Sequence, residues 1–230
     1  MFFFRINKLK IFDNKEGKKF GLFGKDSAQV KLVSFVTTEQ AELPNLTEFI
    51  QTNDEGAKNE ILRAAVENVV SSRILTEIDN VKDNSTMTFG DTGFVLYQAN
   101  KIPACFNWNF IAYESDKRHR ETVALIDDIT RHPDFPVFSG KLGGLLKNTP
   151  NPAFDAFNQI SKFAIDTISK VAKENRDDMM GILFMSLNRT EHYNHGERKK
   201  DDVPDLTNNM LIDYSIFGFE ESSVQVVSGN

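Results

Sequence analysis

The stretch FNWNFIAY, residues 106–113, constrains the fold more than any other part of the chain. Phe106, Trp108, Phe110 and Ala112 alternate with Asn107, Asn109, Ile111 and Tyr113. Side chains along an extended strand point to opposite faces in turn, so a period of two puts the large rings on one side and the asparagines on the other. Residues 104–114 therefore read as a half-buried strand with one dry face. Such a face needs a second apolar layer against it.

Other segments supply that layer. Phe2, Phe4 and Ile6 alternate with Phe3, Arg5 and Asn7 before the pattern moves to Leu9 and Ile11, as a β-bulge would cause. Residues 28–38, AQVKLVSFVTT, are β-branched and apolar on both faces and read as a buried strand. Residues 86–98 read as a strand that pairs antiparallel with 104–114. Residues 178–187, DMMGILFMSL, read as a short central strand, and 210–219, MLIDYSIFGF, as the last one.

Three helical segments interrupt this pattern. Ile61, Leu62, Ala65, Val66, Val69 and Val70 recur at helical spacing over 56–75, with Thr52, Asn53 or Asp54 available as cap. A short helix at 117–131 carries Val123, Ile126 and Ile129 on one side and stops before Pro133. A long one at 152–173 has Asn151 as cap, Pro152 in its first turn, and a stripe of Phe154, Phe157, Ile160, Ala164, Ile168 and Val171. Residues 132–150 read as loop, punctuated by prolines and by Gly143-Gly144.

The fold class expected is mainly β: an antiparallel sandwich with helical insertions at about 45–78 and 117–175, with an α+β domain as the alternative. One domain spans 1–220, and 221–230 reads as a flexible tail. A chain of 230 residues with 40% hydrophobic content and 20 Phe can bury one sizeable core. The net charge of −6 argues against general nucleic-acid binding, which needs a basic face. A single cysteine, Cys105, excludes an internal disulfide and reads as structural. The apolar start is broken by Arg5, Lys8 and Lys10, and no run of eighteen apolar residues occurs. A cytoplasmic location is expected.

The stretch EHYNHGERKKDDVPDLTNN, residues 191–209, is the most eye-catching for chemistry. His192 and His195 with Glu197 could suggest zinc or iron. Residues at i and i+3 share a face only on a helix, however, and this stretch is rich in turn formers, so it reads as an exposed connection between two strands. The run Arg198-Lys199-Lys200 reads as a solvated face. Gly140-Lys141-Leu142-Gly143-Gly144 lacks the ending of a phosphate-cradling loop, and no Gly-x-Ser-x-Gly stretch is present.

Three stretches together resemble the C2 domain, the calcium- and lipid-binding β-sandwich known from protein kinase C. KLKIFDNKEGKKFGLFGKDSAQVKLV is similar to that family's first strand, acidic loop and second strand, with Asp26 at the loop's end. FNWNFIAYESD is similar to the strand that ends in an Asp-x-Asp pair, with Glu114 and Asp116 in those places. RDDMMGILFMSL, with Asp177 and Asp178, is similar to the following Asp-Asp strand, and MLIDYSIFGFE would close the sandwich. The resemblance implies a C2-like sandwich with a calcium cluster of Asp26, Glu114, Asp116, Asp177 and Asp178. Calcium needs several such oxygens converging at one point. The residues alone allow a plainer reading, because strand ends are polar anyway and Asp116 suits a helix cap.

No nucleophile–base–orienter set is visible, so no enzyme is expected. The expected function is a non-catalytic binding or assembly module that engages a protein partner or self-associates, with no certain cofactor. One alternative is a calcium-dependent module at a membrane or lipid surface. An enzyme using His192 and His195 is the other.

Overall fold

The computed structural model describes residues 1–14, 27–114, 122–174, 179–189 and 196–220. Two antiparallel sheets form the frame. The five-stranded sheet contains β1 (Phe2–Ile11), β4 (Ser85–Thr88), β5 (Phe94–Ala99), β8 (Gly196–Pro204) and β9 (Met210–Gly218). The four-stranded sheet runs β3 (Ile74–Val81), β2 (Ala28–Thr38), β6 (Cys105–Glu114), β7 (Met179–Asn188). Five helices lie among the described residues: α1 (Leu46–Gln51), α2 (Glu55–Ser71), α3 (Thr122–Thr130), α4 (Phe135–Leu146) and α5 (Pro152–Glu174). The molecule is a mostly β sandwich with helices, and those helices fall inside the two regions where insertions were expected.

The core between the sheets follows from strand alternation. Phe2, Phe4, Ile6 and Leu9 of β1 and Met210, Ile212, Tyr214 and Ile216 of β9 face Phe106, Trp108, Phe110 and Ala112 of β6. The rings of Phe4 and Trp108 meet edge to face with centroids 4.9 Å apart. The indole Nε1–H of Trp108 donates to Ser34 Oγ at 3.1 Å, so its one polar atom is satisfied inside the core. The expected bulge in β1 is present: its register with β9 shifts between Ile6 and Lys8.

A second core lies on the other side of the four-stranded sheet. Val33 and Phe35 of β2 and Ile111 and Tyr113 of β6 face the helices there. Helix α5 packs on β6 and β2, and α2, α3 and α4 pack against α5. The Asp54 carboxylate caps α2, accepting from the Gly56 and Ala57 amides at 2.8 and 3.2 Å. The expected cap at Asn151 also forms, accepting from Phe154 N at 3.2 Å.

Several local expectations change in this frame. Strand β6 has no wet face. Asn107 and Asn109 are buried under the helices, and Asn109 Nδ2 donates to Asn158 Oδ1 at 2.9 Å and Ser161 Oγ at 2.6 Å on α5. Asn109 can occupy this layer because its partners come with the helix. Strand β5 pairs with β1 rather than β6, so the expected 86–98/104–114 hairpin does not form. Residues 132–150 are not all loop: α4 is built over 135–146, with Pro136 in its first turn and Phe135, Leu142 and Leu146 buried. Burying those three side chains outweighs the roughly 1 kcal/mol that each helical glycine costs.

Strand β7 is an edge strand, not a central one. Its outer edge is covered over the N-terminal half by residues 205–209, the turn between β8 and β9. Asp205 is 3% exposed, and its carboxylate accepts from five donors. These are the amides of Ile182, Thr207, Asn209 and Met210 at 2.8–3.0 Å and the Thr207 hydroxyl at 2.6 Å. Leu206 N donates to Ile182 O at 2.8 Å, and Asn209 Nδ2 donates to Met180 O at 3.0 Å and Asp13 O at 2.9 Å. One buried carboxylate thus ties the edge of one sheet to the hairpin of the other. Gly181 is the residue that lets Asp205 come so close: a Cβ there would stand 3.1 Å from Asp205 Oδ2.

Candidate interaction face

The outer faces of the two sheets differ. Among the described residues no helix packs on the five-stranded sheet's outer face, whose character changes along β1. At the N-terminal end it is apolar. Phe3 of β1 lies opposite Phe217 of β9, with ring centroids 6.3 Å apart. Next to them Met1 and Phe219 bond each other's backbone, and their side chains are 54% and 49% exposed. Val95 of β5, opposite Arg5 in register, is 41% exposed. The Arg5 guanidinium lies 5.2 Å from the Phe3 ring centroid, a cation over an aromatic face.

Farther along β1 the same face is ionic. Lys8 Nζ lies 2.7 Å from Asp213 and 3.6 Å from Asp202. The hydrogen bond to Asp213 holds the Lys8 ammonium pKa above its ordinary value. Lys10 lies over the Phe12 ring at 4.9 Å. The outer strand β8 carries Glu197, Arg198, Lys199, Lys200, Asp201 and Asp202, with Asp202 in the left-handed region at φ 51°. Charges and a local irregularity on an edge strand discourage pairing with another sheet. The basic run of 198–200 therefore stands on an edge strand, where residue-level reading expected a loop.

The expected calcium cluster can be followed only at Glu114, which ends β6 and is 4% exposed. Asp26, Asp116, Asp177 and Asp178 lie outside the described residues, as do His192 and His195. Among the described residues no three His, Cys, Asp or Glu side chains gather as metal ligands would. Cys105 is half-buried, and burial pushes its thiol pKa up, which makes it a poor nucleophile.

Phe3, Phe217 and Phe219 were not singled out from sequence as functional residues. In the sequence they are members of apolar strands like any others. What sets them apart is that nothing described covers them, and covering is decided by where the helices go.

No family model matches the chain, and no curated protein matches it. Among solved structures, that of Drosophila C2-DSL-EGF1 aligns with 94% of this chain at 9% identity and a TM-score of 0.34, and this chain spans 65% of its length. Among the described residues no helix is long and apolar enough to cross a membrane.

Proposed function

We propose that the chain is a non-catalytic binding or assembly module on a C2-like sandwich, and that it engages a protein through the apolar end of the five-stranded sheet's outer face. The observation that carries this reading is the cluster of Met1, Phe3, Val95, Phe217 and Phe219 on a face that no helix among the described residues covers. Three of these side chains are more than 40% exposed. Contiguous exposed apolar surface on a folded domain marks an interaction site more often than scattered single residues do. Aromatic rings and an arginine are also the side chains that dominate binding energy at protein interfaces.

Sedimentation velocity at micromolar protein tests the idea directly. A defined oligomer in the parent chain that dissociates in Phe217→Ser or Phe219→Ser identifies the partner as a second copy. A monomer makes the partner a different protein, and the parent chain but not the two variants should then retain that protein on an affinity column. An oligomer that survives both substitutions would count against this face. Calcium is not required in this reading, so millimolar calcium should leave the melting temperature unchanged.

A further inference from the structure

The four-stranded sheet ends at β7, and part of that edge is open. Along an antiparallel strand, alternate residues turn both backbone groups to the same side. Ile182 turns its amide and carbonyl away from β6, to Asp205 Oδ2 and Leu206 N. Phe184 and Ser186 follow at the same period. Arg189 belongs to the other set, and its amide donates to Ala104 O on the β6 side at 3.0 Å. The cover from residues 205–209 stops at Ile182. Among the described residues no hydrogen bond reaches the outward amide or carbonyl of Phe184 or Ser186. Both residues are exposed, and so is Leu206 where the cover ends.

An exposed edge pairs readily with another extended chain unless something guards it. The other edges carry guards. β8 is mostly charge and has Asp202 in the left-handed region. β3 carries Glu77 and Asp79, with Asn80 left-handed at φ 60°. β4 and β5 are four and six residues long, and the register of β5 shifts against β1. Residues 184–188, FMSLN, hold no charge, proline or glycine. We infer that this open part of β7 accepts an extended acidic segment of another protein, added as a fifth strand of the sheet. Strand addition takes its affinity from main-chain hydrogen bonds and its selectivity from alternate side chains. A side chain placed beside Phe184 lies toward α5, where the Lys162 ammonium stands 5.7 Å from the ring centroid. Lys162 makes no ion pair among the described residues, and Asp166, one turn farther along α5, feels its charge without bonding it. A carboxylate at that position of the incoming strand therefore meets Lys162. The next side chain points to the opposite face, beside Met185 and the core between the sheets, and is apolar.

The probe is a synthetic peptide of alternating valine and glutamate with blocked ends, and a valine–lysine peptide at matched ionic strength is its control. The glutamate peptide should bind, and hydrogen exchange at the Phe184 and Ser186 amides should slow at least about tenfold. The lysine peptide should bind at least about tenfold more weakly, and Lys162→Gln should narrow that gap. Ser186→Pro removes one outward amide and leaves the ladder to β6 intact, as proline on an edge strand does, and it should abolish binding. If Ser186→Pro does not fold, Ser186→Lys puts a charge on the edge and should weaken binding by about tenfold. Phe217→Ser, in the face proposed above, should leave peptide binding unchanged, so the two proposals fail separately. No binding, slowed exchange at a different edge, or parent-like affinity in the Ser186 variant overturns the inference. Equal affinity for the two peptides overturns its acidic part. Protection of Phe184 and Ser186 that grows with protein concentration alone overturns the assignment to another protein and makes the occupant a second copy.

Discussion

The outer faces of the two sheets start from similar material and end differently. Strand β2 carries Val33 and Phe35 on its outer side, and strand β1 carries Phe3 and, past the bulge, Lys8 and Lys10. On the four-stranded sheet, α5 and the helices packed on it bury that side, so Phe35 is 1% exposed and even Asn109 is 1% exposed. On the five-stranded sheet nothing described does so, and Met1, Val95 and Phe219 stay 41–54% exposed. An apolar side chain contributes to stability only when something removes it from water. The same residue type therefore belongs to a core on one face and is available to a partner on the other.

The sharpest way to break this comparison is to truncate one aromatic ring in each location. Phe35→Ala should cost about 3–5 kcal/mol by chemical denaturation, as large core truncations do. Trp108→Ala, in the core shared by both sheets, belongs in the same range of about 3–5 kcal/mol. Phe219→Ala on the open face should change stability by less than about 0.5 kcal/mol. Equal losses at Phe35 and Phe219 would mean that the open face is covered after all.

Next in size is the tie between the sheets. Asp205→Ala leaves four buried or half-buried amides without their acceptor. At about 1–3 kcal/mol for each unsatisfied group, a loss of at least ~3 kcal/mol is expected. Hydrogen exchange should quicken at Ile182, on the edge of β7, before it quickens in β6. Uniform quickening in both strands would show that Asp205 is not local to that edge.

A smaller effect concerns the polar contact under the helices. Asn109→Ala removes the donor to Asn158 and Ser161 and should cost about 1–3 kcal/mol, seen as a lower melting temperature. A neutral result would mean that water replaces the amide, and that the layer is wetter than its burial indicates.

The smallest effect is alkaline. Tyr214 sits in the core between the sheets, and burial raises its phenol pKa above the ordinary value of 10.0. The folded state therefore holds the phenol proton more tightly than the unfolded state does. Its contribution is fully present below pH 10 and is lost as pH rises through the raised folded value. Tyr214→Phe should flatten that alkaline decline in stability, and an unchanged decline would assign it to other groups.

Much of the frame was legible in the residues because strand alternation and helix capping are local. The core face of β6, the bulge in β1, the caps at Asp54 and Asn151 and the long helix α5 follow from spacing within a dozen residues. Strands β3 and β8 were not legible. β3 follows directly on the helical pattern of α2, and β8 is nearly all charge, stabilised by pairing with β9 rather than by its own apolar face. Phe184, on the segment expected to be a central strand, is 37% exposed because β7 lies at the sheet's edge, where that side receives Lys162 over the ring at 5.7 Å instead of a packed layer. Of the five acids in the expected site, the one described, Glu114, is buried at a strand end, and its sequence neighbours could not reveal that.

The sequence by itself determined which stretches are extended, where α2 and α5 begin, and that large rings on β6 must meet another apolar surface. Periodicity and capping act between residues close in the chain. Only the tertiary structure decided which strands are neighbours, which sheet face the helices cover, and which part of the β7 edge stays open. Those outcomes depend on contacts between segments far apart in sequence, where the apolar area buried by the whole arrangement outweighs any local preference.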